Sequence, residues 1–175
     1  DAGQTIHGED YSKVNPKGYV PALQLASGEV LTEGVAVLQY IADQYPQSEL
    51  APKSGTMARV RLQEYLNYVS SELHKAFGPF FSINPNDEDR KKAGDNVANK
   101  LNYLESLLSD GRAYLLGDRF SVADAYLFVV SNWSNFVGVD LNNWPNVAAF
   151  VDRVAKRPAS HGFCKGIDEY ARAPL

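Results

Sequence analysis

Residues 15–43 read NPKGYVPALQLASGEVLTEGVAVLQYIAD and place a proline between two apolar stretches that are otherwise typical of a β-strand. Proline has a fixed φ and no backbone N–H, so Pro21 must lie at a strand start, an edge or a turn. Because X–Pro bonds adopt the cis form at modest cost, the Val20–Pro21 bond is a candidate cis peptide. Such a turn would direct the Val20 backbone outward, where it could pair with an extended peptide. The alternative is a trans proline that simply opens a strand.

Two short strands and a helix follow this proline. Residues 21–25 and 29–32 are predicted to form a β-hairpin whose loop is ASG. Helical spacing of apolar residues then predicts an amphipathic helix that begins near Glu33 or Gly34 and is ended by Pro46. Its apolar face is predicted to consist of Val35, Leu38, Ile41 and Ala42. A two-stranded sheet with one helix is not stable alone in water, so further structure must complete it.

A proline-containing linker separates this segment from a helical remainder. We place the linker at residues 47–55, between a first domain of residues 1–46 and an all-helical domain of residues 56–175. In the helical domain, apolar residues at steps of three and four predict a long helix that is interrupted near Gly78-Pro79. Further helices are predicted over 87–108, after Ser121, over 145–156 and from Ala159 to about Ala171.

Composition restricts the function classes. The chain has 17 basic and 21 acidic residues and no basic run, so it has no electrostatic basis for binding nucleic acid or an anionic membrane. No apolar run approaches the roughly 20 residues of a membrane span. A single cysteine, Cys164, and three separated histidines, His7, His74 and His161, favour neither a disulfide framework nor a metal site. These features fit a reducing, cytoplasmic compartment.

One face of the long helix carries small polar residues. Asn67, Ser71, His74 and Gly78 recur at steps of four, three and four, and Lys75 flanks them. Solvated helix faces are normally dense in Lys and Glu, so this polar stripe is a candidate binding surface. A histidine that is satisfied locally on a helix surface is an equally open alternative.

A capping signal begins the most apolar helix. Ser121 is followed three residues later by Asp124, which is a capping-box arrangement with Asp in place of the usual Glu. We interpret Asp124 as a structural cap that accepts a hydrogen bond from the Ser121 N–H, and not as a general base. The helix that follows is predicted to be central and buried.

Taken together, these motifs resemble those of cytosolic glutathione S-transferases, most closely the bacterial beta class. The resemblance rests on the Val20-Pro21 turn, the Thr32-Glu33-Gly34 helix start and the segments YLNYVSSELHKAFGPFF and GDRFSVADAYLF, and it covers essentially the whole chain. It implies an α+β fold. The remainder of a thioredoxin-like N-terminal domain, a β-hairpin plus a helix, would precede an all-α C-terminal helical-bundle domain.

The resemblance also implies a glutathione site. Pro21 would be cis and would present the Val20 main chain to glutathione, while Glu33 and Gly34 would bind the γ-glutamyl end at a helix N-terminus. Gly34 lacks the serine hydroxyl usual there, which should weaken the carboxylate contact. From the residues alone, Glu33 is also explained as an acidic residue that favours the first helical turn.

Across a homodimer interface, three residues of the long helix would complete the site. Asn67, His74 and Lys75 would reach the glutathione of the neighbouring subunit, with His74 also assisting the thiol. Glutathione would be the co-substrate, without a metal, and its thiolate would attack small hydrophobic electrophiles. Aromatic residues would line the electrophile site, although aromatics at helical spacing are commonly core. The candidates are Phe77, Phe81, Tyr126 and Trp133.

The chain departs from the family pattern at its start. Family members begin with a strand–helix–strand unit of roughly 30 residues, which carries the catalytic cysteine of this class. We therefore expect a truncated and impaired transferase whose main catalytic residue lies upstream of Asp1, and we interpret Cys164 as an ordinary thiol. The alternatives are a non-catalytic glutathione-binding or dimerisation module and a glutathione-dependent thiol–disulfide exchange enzyme.

Overall fold

The computed structural model describes residues 3–5, 7–82 and 86–160. The chain divides into two units between Ala51 and Pro52, which lies inside the predicted linker at 47–55. The domain limits of 1–46 and 56–175 remain predictions. None of the helices in the described ranges is both long and apolar enough to cross a bilayer.

The first unit contains the predicted hairpin. Strand β1 (Ala22–Gln24) pairs with β2 (Val30–Thr32) in antiparallel register, with Leu23 opposite Leu31. Gly28 in the connecting loop has a φ of 89°, a conformation that glycine adopts without steric cost. Pro21 immediately precedes β1, and the Val20–Pro21 peptide is cis. The hairpin and the cis bond are thus confirmed, with strands slightly shorter than predicted.

Helix α1 (Gly34–Gln44) begins where the sequence predicts, and it ends two residues before Pro46. The apolar face predicted for it is partly wrong. Val37 and Ala42 are its buried residues, whereas Ile41 is 39% exposed. Apolar side chains cover most of the circumference of this helix, so their spacing does not reveal which part is buried.

The second unit is all helical among its described residues. Its α-helices are α2 (Met57–Tyr68), α3 (His74–Phe77), α4 (Asp87–Leu108), α5 (Val122–Asn132), α6 (Ser134–Val137) and α7 (Pro145–Ala155). Helix α5 packs against α2 and α7, and α4 packs against α3 and α7. The apolar residues that recur at steps of three and four along the long helix and along α4 are fully buried, and they form the core of this unit. These residues are Leu62, Leu66, Val69, Leu73, Phe77, Val97, Leu101, Leu104 and Leu108.

A π-helical turn joins α2 to α3. It spans Val69–Leu73, and the His74 N–H donates to the Val69 carbonyl, five residues earlier. The hydroxyls of Ser70 and Ser71 both donate to the Asn67 carbonyl, at 3.1 and 2.8 Å. The apolar residues keep their steps of three and four through this turn, so nothing in the hydrophobic pattern indicates it. Such turns occur often at functional sites, and His74 directly follows this one.

Two proline signals place helix boundaries as predicted. The interruption near Gly78-Pro79 is a 3₁₀ turn over Gly78–Phe81, and α7 begins at Pro145. The start of α7 is also held from another helix, because the Glu105 carboxylate accepts from the backbone N–H groups of Asn146 and Val147. The predicted last helix lies mostly outside the described residues, as do His161 and Cys164.

Candidate functional site

In the first unit, the loop before Pro21 exposes its main chain. Val20 is 80% exposed, and within the described ranges its backbone N–H and C=O have no hydrogen-bond partner. The preceding carbonyl, that of Tyr19, is held in place by the Tyr11 hydroxyl at 2.9 Å and by Asn15 Nδ2 at 2.6 Å. Asn15 is buried and holds this loop through its side chain, and it was not among the predicted site residues although Asn-Pro is a turn signal.

Glu33 caps helix α1 in an uncommon backbone conformation. Its φ is 69° and its ψ is 113°, a region that costs non-glycine residues of order 1–3 kcal/mol and is concentrated at functional sites. The Glu33 carboxylate is exposed and pairs with Lys17 Nζ at 2.5 Å. Lys17 was not among the predicted site residues, because sixteen positions separate it from Glu33 in the sequence.

Gly34 is the first residue of α1, next to Glu33. A Cβ added at Gly34 would meet the Cδ and Cγ atoms of Pro21 at 3.7 Å, which is ordinary van der Waals contact. The backbone therefore has room for a small side chain at this position. The open N-terminus of α1 presents unpaired N–H groups and the positive end of the helix dipole, which favour a carboxylate.

In the second unit, His74 lies in an aromatic cluster. Its Nδ1 atom is 2.8 Å from the hydroxyl of Tyr126, which α5 carries. Its ring packs edge-on against Trp133, with centroids 4.7 Å apart and planes at 88°. Phe77 and Phe81 also pack edge-on against Trp133, with centroids 5.9 and 5.4 Å away. The structure thus brings together His74 and all four aromatic residues predicted for the electrophile site.

The members of this cluster differ in exposure. Phe77 is fully buried, so it supports Trp133 and has no ring surface accessible to a ligand. Phe81 is 56% exposed, and Tyr126 and Trp133 are partly buried. Accessible aromatic surface is therefore limited to Phe81, Tyr126 and Trp133 among the four predicted residues.

The protonation states of the pair follow from its surroundings. Burial lowers the pKa of His74 below its ordinary value, and the nearby Lys75 lowers it further. Burial raises the pKa of the Tyr126 phenol. At pH 7 the pair therefore consists of a neutral imidazole and a protonated phenol.

Asn67 and Lys75 lie on the exposed surface of the same helical region. The Asn67 carbonyl is bonded by two serine hydroxyls of the π-helical turn, which anchors that turn at its start. Over the described ranges, His, Cys, Asp and Glu side chains nowhere gather in a group of three that could hold a metal ion.

Asp124 makes the capping contacts that the sequence predicts. It is completely buried, and its Oδ2 atom accepts from the Ser121 N–H at 2.8 Å and from the Ser121 hydroxyl at 2.6 Å. Its Oδ1 atom also accepts from the Leu115 N–H at 2.7 Å, a contact nine residues back in the chain that the sequence does not indicate. Burial raises the pKa of Asp124, and these hydrogen bonds partly offset that effect.

Comparison with known proteins yields two matching family models. The model described as glutathione S-transferase, C-terminal domain, matches residues 68–158. The model described as glutathione S-transferase, N-terminal domain, matches residues 2–44.

Individual relatives agree with the family models. Glutathione S-transferase GstA of Escherichia coli O157:H7 is 42% identical over 152 residues, which cover 87% of this chain and 75% of that protein. A sphingomonad glutathione S-transferase solved in complex with glutathione is 45% identical, with a TM-score of 0.89 over 94% of this chain and 82% of its own. A beta-class enzyme of Sphingomonas chungbukensis is 44% identical, with the same TM-score and the same coverage of both chains.

Proposed function

The chain belongs to the glutathione S-transferase family, and on that premise we propose that it transfers the glutathione thiolate to small hydrophobic electrophiles. The observation that carries the proposal is the cluster of His74, Tyr126 and Trp133, which combines a polar group for the thiol with accessible aromatic surface. Glutathione is the co-substrate. A structure 45% identical to this chain was solved with glutathione bound, which supports that assignment.

The first unit supplies groups that suit the γ-glutamyl end of glutathione. Its carboxylate binds at the N-terminus of α1 beside Gly34, and its ammonium pairs with Glu33 by a charge-assisted hydrogen bond. The exposed Val20 main chain pairs with the cysteinyl backbone in the manner of an added strand. In the free protein the Lys17 ammonium pairs with the Glu33 carboxylate. When glutathione binds, its γ-glutamyl ammonium takes the place of Lys17.

The reaction needs a thiolate. A free thiol has a pKa of about 8.5, so lowering it by about two units takes roughly 2.7 kcal/mol of preferential interaction with the anion. One or two hydrogen bonds and a nearby cation are enough for this. Asn67, His74 and Lys75 provide a donor amide, an imidazole and a cation on adjacent turns of one helical region.

These three residues serve the neighbouring subunit of a homodimer. The proposal follows from the beta-class resemblance of the segment that carries them, and it accounts for the exposure of Asn67 and Lys75 in a single chain. Phe81, Tyr126 and Trp133 line the electrophile site. The protein works in the cytoplasm, where glutathione and reduced thiols are maintained.

The function is tested with the protein expressed from its complete open reading frame. We expect it to be retained on immobilised glutathione and to form the glutathione conjugate of 1-chloro-2,4-dinitrobenzene, followed by absorbance against an enzyme-free control. Retention without conjugation would contradict the transferase proposal and indicate a binding module. Reduction of a glutathione mixed disulfide without conjugation would indicate thiol–disulfide exchange instead.

Substitution of Gly34 by serine should strengthen glutathione binding. The added Cβ fits beside Pro21, and its hydroxyl can donate to the γ-glutamyl carboxylate at the start of α1. One such hydrogen bond is worth about 1 kcal/mol, so the KM for glutathione should fall about fivefold.

Gly34→Ala is the matched control for this substitution. It adds the same Cβ without the hydroxyl, so its KM for glutathione should stay near that of the wild type. Equal changes in the two variants would show that the hydroxyl makes no contact with glutathione, and would place the γ-glutamyl carboxylate elsewhere.

A further inference from the structure

Tyr126 holds His74 in one orientation. The Tyr126 hydroxyl lies 2.8 Å from His74 Nδ1, and Trp133 packs edge-on against the same imidazole. Within the part of the chain that the structure describes, the other ring nitrogen, Nε2, has no hydrogen-bond partner. We infer that Tyr126 is a positioning residue that directs the His74 proton to Nε2, and that the Nε2–H donates to the glutathione sulfur. This inference rests on the proposed function.

The direction of the hydrogen bond follows from the chemistry of the two groups. A neutral imidazole has one N–H donor and one acceptor nitrogen, while a phenol can donate or accept. Imidazole nitrogen is the more basic atom and the phenol is the more acidic group, so the favourable arrangement is O–H to Nδ1. Because Nδ1 is then the acceptor, the single imidazole proton must lie on Nε2.

The orientation of the ring is fixed on two sides. Tyr126 from α5 bonds one edge, and the indole of Trp133 contacts the ring at 88°. Trp133 is itself held by Phe77, which is fully buried, and by Phe81. The direction of the Nε2–H bond is therefore set before glutathione binds, so little ordering is needed when it does.

This arrangement makes His74 a donor and not a base. With Nδ1 occupied and Nε2 already protonated, the imidazole has no free lone pair for the thiol proton. The thiol proton leaves to solvent, and the Nε2–H then donates to the sulfur anion that remains. No covalent bond forms to His74. The titratable groups that act on the imidazole are Lys75, from its own helical region, and Tyr126, from α5.

The tautomer can be tested without any assay of activity. Long-range ¹H–¹⁵N NMR on protein labelled at histidine distinguishes the Nε2–H form from the Nδ1–H form at pH 7.5. We expect His74 as the Nε2–H tautomer in the wild type, and loss of the Nδ1 hydrogen-bond shift in Tyr126→Phe. An Nδ1–H tautomer in the wild type would overturn the inference, whether or not the protein conjugates glutathione.

Kinetics test whether Tyr126 acts through His74. Tyr126→Phe should lower kcat/KM about fivefold to tenfold, which corresponds to one hydrogen bond, and should move the pH–rate profile to higher pH, because the bound thiol becomes less acidic. In a His74→Gln background, the Tyr126→Phe change should have no further effect. An effect of the same size in that background would show that the Tyr126 hydroxyl acts independently of His74, and it would overturn the positioning role.

Two replacements of His74 separate a donor from a base. The glutamine amide nitrogen reaches about as far as Nε2 and can only donate, whereas asparagine is shorter and reaches about as far as Nδ1. His74→Gln should therefore retain several-fold more activity than His74→Asn. Equal loss in both variants, with folding verified by circular dichroism, would contradict the donor role. The proposed function is tested separately, by whether the wild-type protein forms the glutathione conjugate.

Discussion

Asp124→Ala should lower the free energy of unfolding by about 3 kcal/mol, since it leaves the buried N–H groups of Leu115 and Ser121 without acceptors at a typical 1–3 kcal/mol each. The melting temperature should fall by about 6–12 °C, at about 2–4 °C per kcal/mol for a protein of this size. Thermal unfolding followed by circular dichroism measures both quantities. The loss exceeds that of a simple helix cap, about 1 kcal/mol, because the carboxylate also ties α5 to the loop at Leu115.

Two other variants bracket this effect. Ser121→Ala removes only the hydroxyl donor and keeps the backbone contact, so it should cost about 1 kcal/mol. Asp95→Ala removes an exposed carboxylate that pairs with Lys91, and it should leave the melting temperature nearly unchanged. At temperatures where Asp124→Ala remains folded, its conjugation rate should approach that of the wild type. Normal stability combined with lost activity would show that Asp124 takes part in the chemistry.

Local signals in the sequence predicted much of the fold. The proline of the Val20-Pro21 turn, the Ser121 capping box and the proline at the start of α7 each restrict the backbone directly, so their effects could be placed to within a residue or two. The core stripes of the long helix and α4 were predicted because apolar spacing reports the buried face of a helix that is polar on its other side. The same argument failed for α1, because apolar residues cover most of its circumference.

What the sequence could not predict depends on contacts between distant residues. The bond from Leu115 to Asp124, the Lys17–Glu33 pair and the cap of α7 by Glu105 join residues that only the folded chain brings together. The π-helical turn before His74 was missed for a different reason. The turn adds a residue while the apolar residues stay three or four positions apart, so the hydrophobic periodicity does not indicate it.

The candidate site was predicted as a set of residues and not as a geometry. His74, Phe81, Tyr126 and Trp133 were selected for the types of their side chains and for a family resemblance. That Tyr126 bonds Nδ1 of His74, while Trp133 contacts its ring, follows only from how α5 packs beside the π-helical turn. The roles of these residues towards glutathione remain proposals.

Mixing two impaired variants should restore activity if each site uses both subunits. Glu33→Gln removes a charged partner of glutathione and His74→Ala removes the thiol donor, so each homodimer should lose about tenfold or more in kcat/KM. Each proposed site combines Glu33 of one chain with His74 of the other. In a heterodimer of the two variants, one site therefore carries both substitutions and the other carries neither. Random exchange makes half of the dimers mixed, so about a quarter of the wild-type activity should return. The measurement is conjugation by the mixture after subunit exchange, with heterodimer content determined by native mass spectrometry.

A second mixture provides the control. His74→Ala and Lys75→Ala both lie in the half of the site that the partner is proposed to supply, so each site of their heterodimer carries one lesion and no activity should return. If His74 instead served the glutathione of its own subunit, each site of the Glu33→Gln and His74→Ala heterodimer would carry one of the two substitutions, and every heterodimer site would be damaged. Heterodimers of Glu33→Gln and His74→Ala without recovered activity would therefore refute the shared site, because the two arrangements differ only in which chain supplies His74 to the glutathione site.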